Sequence, residues 1–80
     1  MDRDALNSAL LKAHEDNDKD ELVKLYTFAA DLTEKEHDLD ASCFYLTHAF
    51  VFALEQGNED AYILNKRLVK HNRSTLIPVV

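Results

Sequence analysis

Residues Cys43 to Gly57 read CFYLTHAFVFALEQG, and on them the fold turns. The stretch holds the chain's single cysteine, its single glycine and one of its four histidines. At 100° per residue, its apolar side chains sweep from Ala41 and Phe52 through Tyr45, Ala49, Ala53, Leu46 and Phe50 to Cys43 and Leu54. That arc is roughly 220°, too wide for one neighbouring helix to cover. A helix over 39–56 packed by helices on both sides is the expectation, with Thr47, His48 and Glu55 as its polar remainder. The thiol and imidazole lie five positions apart, about 140° of rotation, so they face different sides and cannot act as a pair.

Outward from this segment the chain is punctuated at a fixed interval. Asn17-Asp18-Lys19-Asp20, His37-Asp38-Leu39-Asp40 and Gly57-Asn58-Glu59-Asp60 stand twenty residues apart. In each, a residue able to close a helix (Asn17, His37, Gly57) precedes an N-cap candidate (Asp18, Asp38, Asn58) whose side chain can accept from the next helix's first amides. Asp20, Asp40 and Asp60 add negative charge to that first turn, where the helix dipole favours it. Helical periodicity between the turns predicts helices over 3–15 (Leu6, Leu10, Ala13 and His14 on one stripe), 19–35 (Leu22, Leu25, Phe28, Ala29 and Leu32), 39–56 and 59–72 (Ala61, Ile63, Leu64 and Leu68). Links of two or three residues make neighbours antiparallel. The fold expected is all-α: four antiparallel helices as two stacked helical hairpins.

Composition agrees. One glycine and one proline among 80 residues suit helices better than tight β-turns, as do twelve leucines and nine alanines. Eighty residues make one small domain, drawn here as 1–73 with an apolar C-terminal tail over 74–80. Pro78 stops regular helix in that tail, and its apolar character predicts that it docks on the core or on a neighbour. The first residues, MDRDALNS, lack a basic start followed by an apolar run, and the longest fully apolar run is Ala49 to Leu54. A cytoplasmic protein without membrane association is expected.

Charge is segregated. Residues 1–60 carry 15 acidic and 5 basic side chains; residues 61–80 carry no acidic side chain and Lys66, Arg67, Lys70 and Arg73. The acidic body repels phosphate backbones, which disfavours nucleic-acid binding. The basic face of the last helix complements its own dipole, or docks an acidic surface, including that of another copy.

The second and third helices resemble a tetratricopeptide repeat hairpin over about residues 22–55. Leu25, Phe28, Ala29, Leu32, Ala41 and Tyr45 fall at that family's spacings. Leu25 stands where the family has tryptophan, Leu32 where it has tyrosine, His48 where it has a small residue, Glu36 where glycine is common and Ala53 where proline usually ends the motif. The resemblance implies a non-enzymatic scaffold that binds a protein or peptide partner.

Chemical readings are thinner. Asp16, Asp18 and Asp20 imitate the start of a calcium loop, but Glu21 occupies the glycine position and Thr27 the closing glutamate position. His14, His37, His48 and His71 show no metal-ligand spacing, so neither metal nor cofactor is expected. His48 as a phosphoaccepting histidine is one rival, with Val51 and Phe52 where such domains carry lysine and glycine. A self-associating structural domain is another. A partly exposed His48 beside Glu55 is the plain alternative. The interaction surfaces expected are Phe44, Thr47, His48 and Val51 on the third helix, Lys66, Arg67, Lys70 and Arg73 on and after the fourth, and Leu76 and Ile77 in the tail.

Overall fold

A computed structural model describes residues 2–71. Four helices follow one another: α1 (Arg3–Glu15), α2 (Lys19–Lys35), α3 (Leu39–Glu55) and α4 (Asp60–Lys70), with no strand among the described residues. The chain forms two stacked helical hairpins, α1–α2 and α3–α4. Among the described residues, backbones approach closely only between consecutive helices, most extensively between α2 and α3. The Cα trace measures 33 × 29 × 13 Å, so the molecule is flattened. Fourth-helix boundaries differ from the expected 59–72, because His71 caps the helix and Glu59 precedes its first turn.

The three turns are built alike. Asn17, His37 and Gly57 have φ of 53°, 62° and 64°. In each turn the following amide reaches back to a carbonyl in the preceding helix: Asp18 to Ala13 at 2.9 Å, Asp38 to Thr33 at 2.9 Å and Asn58 to Ala53 at 2.8 Å. The left-handed residue's own amide donates to His14, Glu34 or Leu54. These are paired Schellman bonds, which use carbonyls that a helix end leaves open. The residue that finishes one helix then starts the next. Asp18 accepts from the Glu21 amide at 3.2 Å and Asp38 from the Ala41 amide at 3.1 Å. Asn58 departs from this pattern: its side chain accepts from Asp60, two residues on, at 2.8 Å.

Small side chains set the α2–α3 spacing. Ala29 and Ala30 of α2 and Ser42, Ala49 and Ala53 of α3 are almost wholly buried. Ser42 Oγ donates to the Ala30 carbonyl at 3.0 Å, fastening the start of α3 to α2. Leu22, Leu46, Leu64 and Leu68 fill the remaining core volume. Cys43 is buried among them, as a small apolar side chain would be. Among the described residues, no buried side-chain nitrogen or oxygen lacks a hydrogen-bond partner.

Several expected stripes shift. Phe28 is exposed, because α2 turns Leu22, Leu25 and Ala29 toward its neighbours and Phe28 lies past their edge. In α4 the buried positions are Ala61, Leu64, Asn65 and Leu68, the i, i+3, i+4, i+7 face, so Ile63 points outward. Leu54 is likewise exposed, and His14 reaches the surface.

Candidate functional site

Tyr26, near the middle of α2, organises the face between α1 and α3. Its side chain is only 9% exposed, and its hydroxyl shares a 2.9 Å hydrogen bond with His14 Nε2. Phe52 stacks on it with ring centroids 5.9 Å apart and an interplanar angle of 14°. His48 lies 5.1 Å away and Tyr45 6.2 Å. His14 closes the group edge-on against both Tyr26 and Phe52, each at 6.0 Å. Helical spacing produces this: Tyr45, His48 and Phe52 at i, i+3 and i+7 share one side of α3. Burial, and then the neighbouring Tyr45, push the Tyr26 hydroxyl above its ordinary pKa.

Next to the ring cluster, no described residue covers the outer surface of α3. Phe44 is 58% and Val51 44% exposed, and Leu54 continues the ridge one turn on. Thr47, His48, Val51 and Phe52 line a hollow of about 210 Å³, almost wholly apolar in character. Three of the four residues expected there from sequence, Thr47, His48 and Val51, line it; Phe44 stands one turn away with its ring 4.5 Å from His48. Thr47 turns its hydroxyl inward to the Cys43 carbonyl at 2.8 Å, so it presents its methyl group more readily than its oxygen.

His48 is half-buried, and its Nδ1–H donates to the Phe44 carbonyl at 2.9 Å. That bond keeps the proton on Nδ1 and leaves the lone pair on Nε2. Glu55 is not its partner, contrary to the plain sequence reading, because Glu55 pairs with Lys19 at 2.8 Å and so ties the end of α3 to the start of α2. No carboxylate or lysine partners His48 among the described residues.

The basic face of α4 divides into two. Arg67 turns toward α2, at 2.7 Å from Asp31 and 3.4 Å from Glu34, and His71 lies 3.5 Å from Glu34. Burial alone would raise Glu34, but Arg67 and then His71 outweigh it and hold its carboxyl below the usual range. Arg67 is therefore an internal clamp and not part of an open patch. Lys66 and Lys70 remain on the outer face, Lys66 with its ammonium 5.3 Å from the Tyr62 ring centroid. Arg73, Leu76 and Ile77, with the rest of the tail expected to dock, lie outside the described residues.

A second hollow, about 200 Å³, opens between α1 and α2 and is lined by Ala9, Lys12, Ala13, Asp16, Asp18, Glu21 and Leu25. In the sequence, Asp18 reads as a turn residue and Asp16 and Asp18 also as part of an incomplete calcium-loop opening. Lys12 pairs with Asp16, and Asp18 caps α2. Among the described residues, no group of three histidine, cysteine or acidic side chains converges as a metal site would require. No described helix is long and apolar enough to cross a membrane.

The described residues thus form an all-α pair of hairpins with an apolar ridge on α3 that none of them covers. No known protein family matches the chain, and no curated protein or solved structure matches it either.

Proposed function

We propose that this chain works without catalysis, as a small helical scaffold that binds a protein or peptide partner through the outer face of α3. The observation that carries the reading is the exposed ridge of Phe44, Val51 and Leu54 beside an apolar hollow whose wall is a packed ring cluster. Aromatic and aliphatic groups on a firm backing bind through desolvation with little side-chain ordering, which is how interface anchors gain affinity. The resemblance of residues 22–55 to a tetratricopeptide hairpin, which in that family implies partner binding, supports the same reading.

Affinity capture from the source cell, comparing the natural chain with a Phe44→Ser/Val51→Ser variant, tests it. Both residues are exposed, so the variant keeps its fold and its circular dichroism. The expected result is a bound protein reduced at least about tenfold by the double change, equivalent to about 1.4 kcal/mol of binding. Identical recovery by both forms would refute the reading. The phosphoaccepting role for His48 is tested alongside it, since the free Nε2 lone pair is the nitrogen such chemistry would use. Transfer of a phosphoryl group from a small acyl phosphate to the natural chain, and not to His48→Ala, would replace the scaffold reading with a phosphorelay one.

A further inference from the structure

The two outermost helices, α1 and α4, carry charge of opposite sign on their free faces. On α1, Leu6 and Ala13 are buried, and the opposite side shows Asp4, Leu11 and Glu15. Both basic residues of that helix are used within the chain: Arg3 pairs with Glu36 and Lys12 with Asp16. Asp4 and Glu15 have no ionic partner among the described residues. On α4, Ala61, Leu64, Asn65 and Leu68 are buried, and the opposite side shows Ile63, Lys66 and Lys70. Arg67 and His71 are engaged by α2, while Lys66 and Lys70 have no ion pair among the described residues. Each free face also carries an exposed branched aliphatic residue, Leu11 at 65% and Ile63 at 59%.

The spacing on the two faces corresponds. Asp4 precedes Leu11 by seven positions, and Lys70 follows Ile63 by seven. Seven positions span about 10.5 Å of helix. If α1 of one copy runs antiparallel to α4 of another, as consecutive helices do within the chain, Leu11 opposite Ile63 brings Asp4 opposite Lys70. Glu15 then falls opposite Glu59, just before the first turn of α4, a like-charge approach that works against the Asp4–Lys70 and Leu11–Ile63 pairings.

We infer that the free face of α4 docks a second copy of this chain through the free face of its α1, in a head-to-tail contact centred on Ile63 with Leu11 and Lys70 with Asp4. The contact joins two different surfaces, so a pair of copies still has one free α1 face and one free α4 face, and assembly extends with concentration instead of stopping at a dimer. It adds a helix to each end in the manner of the internal stacking, and it is separate from the α3 ridge.

Sedimentation velocity over a concentration series on the full chain tests this. The expected result is a mass that rises with concentration in low salt and returns to the monomer at about 1 M salt, where the screening length falls to about 3 Å. Asp4→Lys or Lys70→Glu alone places like charges together and should weaken association about tenfold or more. An equimolar mixture of the two variants should restore it, since the reversed charge on α1 of one meets the reversed charge on α4 of the other, while the unaltered faces still match. Circular dichroism verifies that each variant is folded. A chain monomeric at every concentration in low salt overturns the inference, as does association untouched by either substitution or a mixture that fails to recover. Phe44→Ser/Val51→Ser must leave this assembly unchanged, which keeps its failure distinct from failure of the partner-binding reading.

Discussion

Replacing Tyr26 separates the two contributions that its side chain makes. Tyr26→Phe removes one hydroxyl and its 2.9 Å bond to His14 but keeps the ring against Phe52, His48 and Tyr45. His14 is exposed and can turn to water, so the loss is that of one ordinary hydrogen bond, about 0.5–1.5 kcal/mol. Tyr26→Ala removes the ring from a site only 9% open to solvent and leaves His14, Tyr45, His48 and Phe52 without their common partner. Large aromatic-to-alanine changes in cores cost about 3–5 kcal/mol. A chain of 80 residues has a total stability of about 4–12 kcal/mol, so the alanine form loses between about a quarter and all of it. Urea unfolding followed by circular dichroism is the assay, with the slope watched for loss of two-state behaviour. At about 4–8 °C of melting temperature per kcal/mol, the phenylalanine form should lose about 2–12 °C and the alanine form about 12–40 °C. If alanine costs no more than phenylalanine, Tyr26 does not organise the α1–α3 face, and the backing proposed for the hollow is wrong.

The turns offer a second check. His37→Gly should stabilise by about 0.5–1 kcal/mol, because histidine there holds φ at 62°, whereas Gly57→Ala at φ 64° should destabilise by a similar amount even though no atom lies within 4 Å of the added methyl; thermal melts read both. Ala49→Leu, inside the fully buried α2–α3 seam, should cost about 1–3 kcal/mol by overpacking, measured by urea unfolding. Glu34 gives a signed pH dependence. Its folded pKa lies below the ordinary 4.5, so its stabilisation is complete above that value and is lost as pH falls through the lowered folded pKa. Glu34→Gln should therefore lower the melting temperature at about pH 7 and match the natural chain at strongly acidic pH, a comparison made by calorimetry across that window.

Much of the backbone was legible because its signals are local. The three turns were found from Asn17, His37 and Gly57 with Asp18, Asp38 and Asn58, whose preferences depend on a few neighbouring atoms, and Schellman bonds close all three turns. The width of the apolar arc on α3 also foretold a helix packed on both sides, because that reasoning needs only the helical repeat. Thr47, His48 and Val51 were found for the same reason: they occupy the sector opposite the buried arc. Side-chain partners were less legible. Glu55 at i+7 from His48 looked local, yet Lys19, distant in sequence, holds it; Arg67 looked like surface charge, yet Asp31 and Glu34 claim it.

By itself, then, the sequence determined the helices, their order, their turns and the free sector of α3, since each follows from torsional preference and from periodicity along one helix. Only the tertiary structure decided which rings meet at Tyr26, that Asn65 and not Ile63 is buried, and that Arg3 and Arg67 are drawn into ion pairs while Asp4 and Lys70 face outward on opposite sides. Those outcomes depend on the rotation of one helix against another. A turn of a few tens of degrees about a helix axis exchanges a buried position for an exposed one, and no pattern along a single helix fixes that angle.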